Sequence, residues 1–452
     1  MRLTPDAEQE QAITRIVTEP TKAALNASQF GTGKTLVTVE VGLRLEAEIV
    51  LIVCPLFTKQ SWKETILGQS PDTPVYMIDN KTKGGKAAME LLMQKEPGWY
   101  IVGREFFAAK SVADKFVSIS KHIDLLAYDE CAKWANRKSR GFAHMRKIKP
   151  KFKLAMSATP WANKFENIWT ITRWLWPELI PRSFWNWVAQ WCKTAYDPFA
   201  GAIVDGEKQP GAFVNSLPCY IRLEKDFGEV EKVRILVELS RVERNIYDKF
   251  NKTMIIWLNE NPLVAKLPID KRNRLRAMTL GEVFYDEELD TINFDPSMKS
   301  TKYDTLVDVI REYDEPMLVL TESQKFARVV TERLRNDGFR ADEWSGKVSE
   351  TERNRIKASY VAGETDYIVA VIKSIGEGTD GLQARSRIMV WLSRDESGYH
   401  TEQAFRRLYR RGQKRQVISI DIEAMDTYDT GVLDKGIAKA LSHNESLKKE
   451  GL

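Results

Sequence analysis

The chain has 452 residues, 43% hydrophobic and 29% charged, with a formal net charge of +5, an ordinary globular composition with room for about two or three domains. Four Cys and four His, none at metal-ligand spacing, exclude a zinc site and a disulfide framework, and imply a reducing, cytoplasmic compartment. The first ten residues lack the apolar core of a signal peptide. The most apolar stretch, from Trp161 to Trp191, is interrupted by Lys164, Glu166, Arg173, Glu178 and Arg182 and is excluded as a membrane span.

A helix is predicted from about Pro5, with acids in its first turn. Residues 23–27 read as a short buried strand and residues 36–43 as a helix. Between them runs Ser28-Gln29-Phe30-Gly31-Thr32-Gly33-Lys34-Thr35. A strand passing through Gly-x-Gly-Lys-Thr into a helix is a phosphate-binding loop. Gly31 and Gly33 let backbone N–H groups turn toward phosphate oxygens, and the helix N-terminus adds its dipole. Lys34 offers a point charge to the β- and γ-phosphates of ATP, and Thr35 a hydroxyl to Mg²⁺.

Residues 48–55 form a buried-strand pattern closed by Pro55, and a helix opens at 60–64. The loop at 55–59 is a candidate contact to a nucleic-acid backbone. A further core strand is predicted at 99–103. Residues 124–128 make another strand, ending in the acids Asp129 and Glu130. Acids at the C-terminal end of a parallel strand lie where open α/β sheets bind ligands. Asp129 suits the Mg²⁺ that Thr35 contacts, and Glu130 suits a general base for water. A strand at 152–156 then ends in Ser157-Ala158-Thr159-Pro160, hydroxyls placed to sense the γ-phosphate.

Together these motifs resemble a superfamily 2 helicase or translocase, and the following residues resemble its Swi/Snf-type ATPases. Asn163, Glu166, Trp169 and Pro177 follow Ser-Ala-Thr-Pro. Residues 219–227, 237–240 and Tyr247 resemble that family's linking strands. Ser300-Thr301-Lys302-Tyr303 matches the entry into its second lobe. Strands at 316–321, 366–372 and 387–392 accompany Gly346, Glu352-Arg353 and the run Gly376-Glu377-Gly378-Thr379-Asp380-Gly381-Leu382. The most specific match is Gln403-Ala404-Phe405-Arg406-Arg407-Leu408-Tyr409-Arg410-Arg411-Gly412-Gln413. On a helix Arg407 and Arg410 would share a face, and a guanidinium suits charge building on a γ-phosphate.

The resemblance spans residues 3–426 and implies an α/β fold of two tandem RecA-like parallel-sheet lobes with a partly helical insertion. Lobe 1 is expected at 1–215 (helical insertion at 161–195), a linking region at 216–295, lobe 2 at 296–430 and a tail at 431–452. It implies that Arg407 and Arg410 complete an ATP site carrying Lys34, Asp129 and Glu130. Nucleotide contacts fall to Gly31, Thr32, Gly33, Lys34, Thr35, Gly378, Asp380 and Gln403. An adenine-reading amide is expected near the N-terminus at Gln9, with Gln11 its rival and an ordinary exposed helical glutamine the alternative. Nucleic-acid contacts are expected at Pro55, Lys59, Arg137, Lys138 and Ser374. Departures from the family are Ser28-Gln29 in place of acids, Cys131-Ala132 in place of Ala-His, an extra Gly381, and Tyr409 in place of His. They argue against nucleosome remodelling and leave ATP hydrolysis intact.

Two basic groups, Lys133 to Lys153 and Lys266 to Arg276, are candidate DNA contacts or solvated faces. The tryptophans 161, 169, 174, 176, 185, 187 and 191 read as a packed helical insertion in preference to a base-stacking platform. The expectation is a monomeric, cytoplasmic DNA-stimulated ATPase of bacterial or phage type. It would use ATP and Mg²⁺ to translocate on duplex DNA, remodelling forks, annealing strands or displacing proteins beside replication or recombination factors. The alternatives are a strand-separating helicase on single-stranded DNA or RNA and an ATP-gated binding module without motor activity.

Overall fold

The computed structural model describes residues 2–161, 164–197, 201–258, 261–264, 268–297, 299–375, 381–395 and 398–430. They form two compact units that divide between Lys225 and Asp226.

The first unit is built on seven parallel strands: β1 (Ala23–Asn26), β2 (Ile49–Cys54), β3 (Val75–Ile78), β4 (Gly98–Gly103), β5 (Leu125–Tyr128), β6 (Phe152–Met156) and β7 (Tyr220–Ile221). Their order across the sheet is β3-β4-β2-β5-β6-β1-β7. Strands covered on both faces must be apolar almost throughout, and every residue of β2 and β4 is buried. That is why these strands are legible as unbroken apolar runs.

Three helices position the candidate site. In α1 (Ala7–Val17) the Asp6 carboxylate caps the Gln9 N–H, and the Gln9 side chain returns the bond to the Asp6 N–H. This reciprocal box fixes the helix start at Ala7, two residues after Pro5. The helix α2 (Lys34–Arg44) leaves the loop after β1, and α3 (Lys59–Gln69) follows β2.

The second unit carries six parallel strands: β8 (Val230–Val237), β9 (Met317–Thr321), β10 (Ala341–Trp344), β11 (Tyr367–Val371), β12 (Ile388–Trp391) and β13 (Val417–Ala424), in the order β8-β13-β12-β9-β11-β10. Two parallel sheets are the α/β architecture that the sequence implied. Of the region expected to link the lobes, β7 belongs to the first sheet and β8 to the second. The rest of it holds helices Arg241–Thr253 and Pro268–Met278 and two short antiparallel hairpins. No described helix is long and apolar enough to cross a membrane.

The tryptophan-rich segment is packed, as its composition suggested. Trp161, Trp169, Trp174, Trp176 and Trp187 are all buried, and only Trp185 is strongly exposed. Trp187 meets Phe213 edge-on at 5.1 Å and stacks on Phe165 at 5.8 Å. Aromatic contacts of this kind add about 0.5–1.5 kcal/mol each beyond area burial. These indoles are therefore core, unavailable to bases.

The contact between α2 and the sheet is equally tight. A methyl group at Gly42 would lie 2.6 Å from the Trp99 ring and 3.3 Å from Leu125, both buried. Alanine favours a helix interior by about 1 kcal/mol, but overpacking a rigid core costs about 1–3 kcal/mol. Gly42→Ala should therefore lower stability by a net ~1 kcal/mol in urea unfolding. A stabilised variant would show that α2 moves freely away from β4.

Candidate active site

In the first sheet β5, β6 and β1 are neighbours. Asn26 is in register with Met156, and Tyr128 with Ala155. The phosphate loop, the acid pair and Ser157 therefore leave the same edge of the sheet side by side, the edge where open α/β sheets place ligands.

In the loop, Gly31 and Gly33 have φ of 78° and 85°, the left-handed region that favours glycine. The Lys34 ammonium donates to the carbonyls of Ser28 (2.8 Å) and Gln29 (2.9 Å) and lies 5.1 Å from the centre of the Phe30 ring. Thr32 Oγ1 donates to the Gln29 carbonyl at 2.8 Å. Ser28, which with Gln29 stands in place of acids, has a structural use: its Oγ accepts the Leu223 N–H at 3.0 Å. A glycine there would lose that tie to the segment after β7. Thr35 follows Lys34 in the first turn of α2.

Gln9 is 1% exposed. Its Nε2 donates to the Thr32 carbonyl at 2.7 Å, and its Oε1 accepts the Asp6 N–H at 3.0 Å. The amide thus clamps the phosphate loop to the start of α1. Gln11, its rival, is exposed on the same helix.

Asp129 sits at the end of β5 with Oδ2 accepting the Trp62 indole N–H at 3.2 Å and Oδ1 accepting the Glu130 N–H at 3.0 Å. Desolvation, and next the Glu130 charge, push its pKa up to about 6, against the opposing pull of Lys34. Glu130 has φ of 51°, an uncommon conformation for a non-glycine residue and one that collects at functional sites. Its Oε2 accepts from Ser157 Oγ at 3.3 Å, while the same Oγ accepts the Thr159 N–H at 3.2 Å. The hydroxyl segment after β6 is thereby wired to the second acid. A hydroxyl and a crowded, partly desolvated carboxylate form the oxygen donor set that a hard divalent cation prefers. Thr35 and Asp129 therefore fit Mg²⁺.

Two residues that the motifs did not mark also shape this edge. Trp62, on α3, holds Asp129 across 67 residues of sequence, with no local signal to announce it. Arg222 is 9% exposed, and its Nη1 donates to the carbonyls of Ala27 and Ala158. It ties the phosphate loop to the segment after β6. An apolar strand closed by an arginine was the available clue.

The candidate nucleic-acid contacts are not alike. Pro55 is buried at the end of β2. Lys59 is 7% exposed and donates to the Ile78 carbonyl at 3.0 Å, so it anchors α3 instead of presenting a surface cation. Arg137 and Lys138 are exposed, with the Arg137 guanidinium 4.3 Å from the centre of the Phe184 ring. At the end of the first basic group, Lys151 pairs with Asp124 (2.6 Å) and Lys153 donates to the Trp174 carbonyl (2.7 Å).

In the second unit, Gly378 and Asp380 lie outside the described residues. Ser374 Oγ is within hydrogen-bond reach of the Val371 (2.8 Å) and Trp344 (3.1 Å) carbonyls. The arginine motif departs from the expected helix: the helix Gly398–Phe405 stops before either arginine. The chain goes on in turns, with the Arg407 N–H bonded to Ala404 O and the Arg410 N–H to Leu408 O. Shared helical spacing therefore does not align Arg407 with Arg410. Arg407 is 8% exposed, with Nε donating to the Gln403 carbonyl at 3.2 Å, and Gln403 is buried with Nε2 donating to Tyr399 at 2.6 Å. Gln413 closes the segment by donating to the Ser386 carbonyl at 2.9 Å.

The sequence profile of the SNF2-related domain matches residues 15–279, more than half of the chain and all of the edge just described. The chain belongs to the SNF2-related family. It is 21% identical over 275 residues to the ATP-dependent helicase fft3 of Schizosaccharomyces pombe, a match covering 58% of this chain and 30% of that protein. The chain thus spans under a third of that relative's length. Among solved structures it is similar to a Sulfolobus solfataricus SWI2/SNF2 ATPase core in complex with dsDNA. That likeness has a TM-score of 0.41 and 14% identity, covering 99% of this chain and 97% of the other. The two parallel sheets carry the fold assignment by themselves. Within the family frame, the edge of the first sheet holds the glycine loop, the acid pair and Ser157 side by side, with Ser157 bonded to Glu130.

The raised pKa of Asp129 has a consequence for stability. The folded state holds this proton more tightly than the unfolded state, so stability falls as pH rises from about 4 toward about 6 and stays reduced above. In metal-free protein, Asp129→Asn should raise the melting temperature by a few degrees at pH 7.5. The gap should close at pH ~4. A gap independent of pH would show that Asp129 ionises as easily in the fold as in the unfolded chain.

Proposed function

We propose that the chain is an ATPase, stimulated by DNA, that couples hydrolysis to translocation on duplex DNA. The observation that carries this reading is the edge of the first sheet. There Lys34 sits in a left-handed glycine loop, and Asp129 and Glu130 are each held by a separate hydrogen bond, from Trp62 and Ser157.

In this reading the loop N–H groups and Lys34 cradle the β- and γ-phosphates. Bound Mg²⁺, held through Asp129 and Thr35, would neutralise phosphate charge. Glu130 accepts the proton of the attacking water and orients it. Ser157, bonded to Glu130 and to the Thr159 backbone, reports whether a γ-phosphate is present. Gln9 sets the loop's position through Thr32, and its remaining hydrogen-bonding capacity is offered to the base. Arg407 and Arg410 are proposed to serve the same hydrolysis from the second unit, and Gly378, Asp380 and Gln403 to support nucleotide binding. Exposed Arg137 and Lys138 are proposed backbone contacts, giving sequence-independent, salt-sensitive affinity. Partly buried Ser374 is proposed as a further backbone contact, whereas Pro55 is buried. A motor step requires nucleotide states that bind DNA with different affinities.

Steady-state ATP hydrolysis with duplex DNA, single-stranded DNA, RNA or none, at two salt concentrations, tests the proposal. Duplex should stimulate most, and stimulation should weaken with salt. Glu130→Gln should lower kcat at least ~100-fold. Arg410→Ala should lower it by about 1,000-fold. Preferential stimulation by single strands or RNA would move the chain to strand-separating helicases. Hydrolysis that is absent under all conditions would leave an ATP-gated binding module.

A further inference from the structure

Turns carry Arg407 and Arg410, so neither is aimed by helical geometry. Something else must fix that segment. Tyr409 stands between the two arginines, where the family resemblance expects His. Its half-buried ring packs against the core of the second unit, with Phe405 at 5.3 Å and Phe227 edge-on at 5.6 Å. The Arg406 guanidinium lies 5.1 Å from the ring centre.

The phenol both donates and accepts. Its O–H donates to Asp226 Oδ1 at 2.7 Å, and its oxygen accepts the Phe227 N–H at 3.2 Å. Asp226 and Tyr409 are 183 residues apart in the chain. The same Asp226 oxygen accepts the Gly228 N–H at 3.0 Å. That bond closes a turn in which Gly228 has φ of 100°, the left-handed region that favours glycine. The Tyr409 O–H, and next the Gly228 N–H, hold the Asp226 carboxyl below its ordinary range. Asp226 is therefore ionised at neutral pH, and a phenol donating to a carboxylate makes a charge-assisted bond.

This turn opens the second unit, since the units divide between Lys225 and Asp226. The residue before it is fastened as well. Lys225 Nζ pairs with Asp6, the N-cap carboxylate that also accepts the Gln9 N–H. Gln9 in turn donates to the Thr32 carbonyl of the phosphate loop. Two successive residues of the connecting chain are thus tied down. One is bonded to the clamp on the phosphate loop, the other to the residue between the arginines.

We propose that Tyr409 is a positioning residue for ATP hydrolysis, its hydroxyl tying the arginine segment through Asp226 to the chain that connects the two units. The proposal rests on the reading in which Arg407 and Arg410 serve hydrolysis. Tyr409 acts through its neighbours and not on the reacting atoms. It sets where the segment carrying both arginines stands, and a shift of the connecting chain is handed on to that segment.

The test uses the full chain with Tyr409→Phe, which keeps the ring and loses the hydroxyl, with Asp226→Ala, and with both. In the presence of duplex DNA each single substitution should lower kcat about tenfold and leave the KM for ATP unchanged. The double variant should be no slower than either single one, because both remove the same bond. Hydrogen exchange of the peptide 406–412, read by mass spectrometry, supplies an arm that needs no hydrolysis. Both substitutions should speed exchange there in protein that melts as the unsubstituted chain does. Exchange that ignores both substitutions, kcat losses that multiply in the double variant, or an undiminished kcat in folded Tyr409→Phe overturns the proposal. An unsubstituted chain that hydrolyses no ATP is told apart by the exchange arm. The tie would then stand, while the role in hydrolysis would fall with the reading it rests on.

Discussion

Two carboxylates on adjacent residues, Asp129 and Glu130, must be held at the rim of a sheet where water is scarce. Burial, and next the neighbouring Glu130 charge, work against the Asp129 charge and raise its pKa to about 6. The surrounding structure answers from three directions. Lys34 contributes attraction from the phosphate loop, Trp62 a hydrogen bond from α3, and Ser157 a hydrogen bond to Glu130 from the end of β6. Parallel strands make this convergence possible, because the segments following β1, β5 and β6 all emerge at one edge. The crowding also gives a divalent cation something to relieve.

The same edge is braced from behind. Arg222 reaches the Ala27 and Ala158 carbonyls, and the Ser28 hydroxyl takes the Leu223 N–H. The short β7 segment therefore does more than extend the sheet. It joins the two loops whose spacing decides whether phosphate, acid and hydroxyl face one another. Gln9 performs the matching task on the other side, since its amide spans Asp6 and Thr32. The loop that carries the left-handed glycines is thus held by two separate elements, the β7 segment and α1.

Much of this was legible in the sequence because buried parallel strands leave little freedom. Ile49-Val50-Leu51-Ile52-Val53 and Leu125-Leu126-Ala127 admit few other readings, and they place Lys34, Asp129 and Glu130 at strand ends without further help. The strands that escaped notice lack an unbroken apolar run. In β10, buried Asp342 is matched by Arg335 and Thr365. In β3 three of the four residues are only partly buried, so no unbroken core run appears. The helical reading of the arginine motif failed for a different reason. Its spacing fits a helix, but Arg407 and Arg410 follow the helix end at Phe405, where turns take over. Side-chain bonds across long separations, such as Trp62 to Asp129, have no one-dimensional signature at all.

The second sheet shows what that blindness conceals. Every residue of β13 is buried, including Ser419, Asp421 and Glu423. Asp421 is held by both arms of Arg394, Glu423 by both arms of Arg234 from β8, and Ser419 by the Trp391 indole from β12. Nearby, Lys302 is 1% exposed and pairs with Asp429 at 2.5 Å while donating to the Leu392 carbonyl. Buried pairs of this kind add little net stability over an apolar core, yet removing one partner costs about 3–5 kcal/mol. Their effect falls on alternatives to the native pairing. A one-residue slip of β13 would turn its carboxylates to the opposite face and separate each from its arginine. The sheet's register is thereby fixed by charge where apolar side chains alone would have tolerated a shift.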